Sequence, residues 1–106
     1  MNPKTPEERR LELQRLLETM GAKKVYFQPP GSHKLVYPCI IYERARADTR
    51  FADNNPYTIT RAYSLVVIDS NPDSKIVTAV MSLPKCSHER HFVSDNLHHD
   101  AFVIYY

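Results

Sequence analysis

A chain of 106 residues, 42% hydrophobic and 25% charged, holds material for one folded domain spanning residues 1–106, and too much apolar content to stay disordered. Its two glycines cannot build a Gly-rich phosphate cradle, and no apolar run is long enough for a membrane-spanning helix. The formal charge of +2 is too small to argue for nucleic acid by itself, and Cys39 and Cys86 alone make no disulfide framework.

Residues 5–20 carry the signals of a first helix. Thr5 is the expected N-cap, Pro6 the first helical residue and Glu8 the partner of a capping box. Leu13, Leu16, Leu17 and Met20 form one apolar stripe, and Gly21 follows as a C-terminal cap. Residues 23–28 read as a short strand, ended by Pro29-Pro30-Gly31-Ser32. A longer strand is expected over 35–47. Its first half is apolar at both parities, so both faces should be covered, with Pro38 marking an edge or a bulge. Its second half turns polar, with Arg44, Arg46, Asp48 and Arg50 at one parity.

Asp53-Asn54-Asn55-Pro56 reads as a turn, and residues 57–69 as the returning strand, with Tyr57, Ile59, Tyr63, Leu65 and Val67 on one face. Together these strands predict a long projecting hairpin over about 40–65 with its polar tip near 48–56. A second helix is expected from about 73 to 83, with Ile76, Val77, Val80, Met81 and Leu83 on its apolar side and Pro84 ending it. Two strands, 86–93 and 98–106, join at Ser94-Asp95-Asn96-Leu97, and the apolar last strand should lie inside the sheet. The order is α-β-β-β-α-β-β. It predicts an α+β domain, a mainly antiparallel sheet with two helices on one face.

Candidate chemistry is sparse. Cys86, His88, His91, His98 and His99 crowd the last two strands, but strict alternation turns His91 away from Cys86 and His88, and His98 away from His99. No metal site, cofactor or catalytic group is expected from that spacing. Cys39 sits in the most apolar segment, where thiols are usually inert. The start of the chain runs straight into charge, so a secretory signal is not expected, and free thiols suit a reducing cytoplasm. The hairpin is different. Arg44, Arg46, Arg50 and Arg61 alternate with Phe51, Tyr57 and Tyr63, while Asp48 and Asp53 dilute the positive field. Arginine with aromatics is the composition of a protein–protein hot spot more than of a specific nucleic-acid site here. The candidate interface is Arg44, Arg46, Asp48, Arg50, Phe51, Asp53, Tyr57 and Arg61.

The segments 36–43 (VYPCIIYE), 48–54 (DTRFADN) and 63–69 (YSLVVID) resemble small neck and tail-assembly proteins of tailed bacteriophages, as does the ending from Cys86-Ser87-His88 through His98-His99-Asp100 to Tyr105-Tyr106. Size and element order look most like the tail-terminator, or tail-completion, family. The resemblance implies a non-enzymatic virion protein made in the host cytoplasm, which forms a homo-oligomeric ring, commonly a hexamer. That ring caps the tail tube and offers a surface to the head connector. It carries over no catalytic residue, and a role for the hairpin only as a region. A head-completion or tail-tube protein is the nearest alternative, and a small metal- or nucleic-acid-binding protein a more distant one.

Overall fold

A computed structural model describes residues 4–52 and 55–106, with the backbone alone over 46–52 and 55–60. The elements are α1 (Pro6–Glu18), β1 (Lys24–Phe27), β2 (Cys39–Ala52), β3 (Asn55–Asp69), α2 (Lys75–Met81), β4 (Cys86–Ser94) and β5 (Leu97–Tyr105). The strands form one sheet in the order β1-β2-β3-β5-β4. β1 runs parallel to β2, and the other neighbours are antiparallel. The α+β class and the element order agree with the sequence reading.

Helix α1 begins where its chemistry dictates. Thr5 Oγ1 accepts the Glu8 amide at 3.1 Å, and Glu8 Oε1 accepts the Thr5 amide at 3.4 Å. This reciprocal pair satisfies two donors that a helix start would otherwise leave open. Gly21, at φ +102°, provides the left-handed turn after the helix. Leu13 and Leu17 are fully buried against Ile40 and Tyr42 of β2, Tyr63, Leu65 and Val67 of β3, and Phe102 and Ile104 of β5. Ile76 and Val80 of α2 join the same cluster, so both helices cover one face of the sheet.

A polar network pins α1 to that face. The buried Tyr42 hydroxyl donates to Gln14 Oε1 at 2.5 Å and accepts from Arg10 Nη1 at 3.3 Å. Gln14 Nε2 donates onward to the Val25 carbonyl at 3.4 Å, while the Arg10 guanidinium lies 4.3 Å from the Phe27 ring centroid. Burial raises the Tyr42 hydroxyl's pKa.

The structure corrects several boundaries. Residues 35–38 precede β2 rather than belonging to it, so Pro38 stands at the strand entry, where its missing N–H breaks no ladder. The Pro38 carbonyl instead accepts the Lys23 amide at 2.9 Å. Val36 and Tyr37 are exposed, so the apolar first half is covered only from Cys39 onward. Asn55 and Pro56 lie in β3, paired with Ala52 and Phe51, which leaves only 53–54 for the tip; those two residues fall outside the described set. Helix α2 is shorter than its periodicity suggests. Ser82 caps it, and Met81 is 50% exposed rather than on the packed side. The β4–β5 turn matches expectation. Asp95 and Asn96 both take positive φ, as a two-residue hairpin loop with right-handed strand twist requires.

Candidate functional site

The hairpin is the part of the fold that its own core does not enclose. β1 ends opposite Tyr42, and β5 reaches β3 no farther than Ala62, the partner of Tyr105. From the Ala47–Arg61 rung outward, β2 and β3 pair only with each other among the described residues. The seven β3 residues from Asn55 to Arg61 extend this ribbon by about 23 Å at the usual rise per residue. The molecule accordingly measures 52 × 24 × 23 Å along its principal axes.

The base of the arm is fastened on both sides. The Arg44 amide donates to Gln28 Oε1 at 3.2 Å, and the Gln28 amide donates to the Tyr42 carbonyl at 2.9 Å. On the β3 side, the Tyr106 amide donates to the Arg61 carbonyl at 2.9 Å. The Tyr106 hydroxyl donates to Glu12 Oε2 at 3.3 Å, tying that corner to α1. Lys4 pairs with the same carboxylate, and this bond from Lys4 is the main reason its pKa is lowered. Sequence reasoning missed Gln28 and Tyr106. No local signal could have found them, because their partners lie far along the chain.

Two irregularities rearrange the candidate interface. Arg44 stands opposite Tyr63, but Arg46 stands opposite Ala62. One extra β2 residue between them, Ala45, breaks the alternation. The rung of Arg44 therefore belongs to the helix-covered face, while those of Arg46, Asp48 and Arg50, opposite Ala62, Thr60 and Thr58, belong to the other. Equal sequence parity did not mean a shared face. A second slip lies between Arg50, opposite Thr58, and Phe51, opposite Pro56, which leaves Tyr57 unpaired in register. Arg44 is exposed and Arg61 half-buried. Asp53 lies outside the described residues, and Arg46, Asp48, Arg50, Phe51 and Tyr57 are placed by backbone register alone.

A third slip corrects the histidine reading. In β4, His88 stands opposite Phe102, Arg90 opposite Ala101 and His91 opposite Asp100, so Glu89 is the extra residue. Phe102 and Asp100 share a face, and therefore so do His88 and His91. The His88 ring packs edge-on to Phe102 at 5.2 Å and bonds Asp100 Oδ1 through Nε2 at 3.0 Å. His91 Nε2 lies 3.1 Å from His98 Nδ1. His99 does point away from His98, as expected, and stacks on Phe92 at 4.6 Å. Among the described residues, no group of three or more His, Cys, Asp or Glu side chains could hold a metal ion.

Neither thiol has the depressed pKa of an activated nucleophile. Cys39 is buried and pushed up to about 11 by desolvation, and burial raises Cys86 as well. No helix among the described residues is long and apolar enough to cross a membrane. No protein-family model matches the chain, and no curated protein matches it.

Proposed function

We propose that this chain is a structural protein of tailed-bacteriophage assembly, a tail terminator that closes into a homo-oligomeric ring, caps the tail tube and presents a surface to the head connector. The observation carrying the proposal is the arm. Two strands leave a small core and continue for several rungs with no third strand beside them among the described residues. An isolated two-stranded ribbon has little stability of its own in water. A neighbouring subunit supplies the missing layer of burial, and Arg44, Arg46, Asp48 and Arg50 provide charged groups for that contact. The sequence resemblance supplies the assembly in which such a ring works.

The deciding measurement is mass in solution, for the chain alone and after incubation with purified tails. A closed ring bound at one tail end is the expected result. Indefinite polymerisation into tubes, seen by negative-stain microscopy, would instead identify a tail-tube subunit. A chain that leaves tails unchanged and never exceeds its monomer mass would end the proposal.

A further inference from the structure

The two helices cover one face of the sheet. On the other, Ile41, Val66 and Ala101 lie side by side on one rung, with Val103 on the next. All four are half-buried, and none joins the core cluster beneath the helices. This apolar strip crosses β2, β3 and β5, whose inner stretches are apolar at both parities, the composition of strands buried on both sides. At the β1 margin the loop closes over it, where the Tyr26 hydroxyl accepts the Val36 amide at 3.1 Å and the Tyr26 ring meets His33. The remaining margins carry opposite charge. Glu43 of β2 stands opposite Ser64, one rung beyond Ile41, and Arg90 of β4 stands opposite Ala101. Both are exposed, and the Arg90 guanidinium lies 4.8 Å from the centroid of the Phe92 ring.

We infer that a second copy of this chain packs on this face, sheet against sheet, about a two-fold axis running along the strands between β3 and β5. That axis lays β3 of each copy over β5 of the other, and β2 over β4. The apolar strips then meet in the middle, at the spacing of about 10 Å that stacked sheets keep. Glu43 of each copy comes within one same-face rung, about 7 Å along the strand, of the partner's Arg90. An arginine side chain spans that offset, so an ion pair forms on each side of the axis. A two-fold axis across the strands would instead set Arg90 against the partner's Arg90, like charge on like. Margins of opposite sign are what a self-complementary contact between identical chains needs. A nucleic acid or an anionic membrane would call for margins of one sign. The footprint lies at the small end for an interface, so the dimer is reversible. This pairing concerns the chain free of tails and does not rest on the ring proposed above.

Sedimentation equilibrium of the untagged chain, without tails and over about 5 µM to 0.5 mM, tests the pairing. Its mass should rise reversibly from monomer to dimer. Val66→Asp sets a carboxylate in the middle of the strip and should weaken the dimer at least about tenfold. Val103→Asp serves the same purpose, and circular dichroism shows which variants keep the fold. Glu43→Arg and Arg90→Glu should each weaken the dimer several-fold. The double exchange, Glu43→Arg with Arg90→Glu, should recover most of the parent's affinity, which mere structural damage would not do. Glu18→Lys, exposed on α1 across the sheet, should dimerise as the parent does. A parent chain still monomeric at the highest concentration overturns the inference and leaves this face to a different molecule. Folded Val66→Asp or Val103→Asp that dimerises as tightly as the parent also overturns it, as does a double exchange weaker than both single variants.

Discussion

At the scale of single residues, two buried polar side chains show how local environment sets behaviour. Tyr42 looks like one more strand aromatic in the sequence, yet its hydroxyl joins α1 to the sheet through Gln14 and Arg10. Tyr42→Phe keeps the ring and strips that link, leaving the Gln14 carbonyl without its donor. We expect a loss of about 1–2 kcal/mol, read from urea unfolding at unchanged slope. Cys39 illustrates desolvation. Its thiol moves from an ordinary 9.0 to about 11 because the folded chain disfavours the thiolate. The corresponding stability is fully present below pH 9 and is lost as pH rises through 11. In the native chain Cys39 should resist a thiol reagent at pH 8 and react once denaturant is added; rapid labelling of the folded protein would contradict its burial.

At the scale of elements, the helix signals are local and were therefore legible. Thr5, Pro6 and Glu8 act within one turn at the helix start and took their expected places, while Gly21 turns the chain two residues past the Thr19 cap that closes the other end. Thr5→Ala should cost about 1 kcal/mol, since it removes one capping bond and loosens its reciprocal partner. A thermal melt of the variant measures this. Strands are less forgiving. A one-residue slip reverses every later side chain, and three such slips occur here, at Ala45, near Tyr57 and at Glu89. Local sequence marks them poorly, because Ala45 and Glu89 are neither glycine nor proline, and only the slip near Tyr57 has a proline, Pro56, at its edge. Each depends on the partner strand, and the partner is chosen by the fold. The face assignments of Arg44 and His91 were misread for this one reason.

At the scale of the whole molecule, the division between core and arm governs expectation. The buried cluster draws on both helices and on β2, β3 and β5, all at or inward of the Tyr63 rung. Substitutions farther out should leave the core intact. Arg46→Glu with Arg50→Glu is expected to preserve the melting temperature of the isolated chain within about 2 °C while impairing tail joining. Complete particle assembly by that double variant would remove the arm from the proposed interface, and a large drop in melting temperature would show that the arm belongs to the core.

The sequence by itself determined the α+β class, the order of elements, the apolar stripe of α1 and the existence of a polar hairpin. These follow from short-range periodicity and turn chemistry, which a chain carries wherever it is read. Only the tertiary structure decided the strand order β1-β2-β3-β5-β4, the fastening of the arm through Gln28 and Tyr106, and which histidines share a face. Those depend on pairings between residues distant in sequence. A single unpaired residue such as Glu89, invisible in the alternation of its own strand, is enough to redirect a side chain across the sheet.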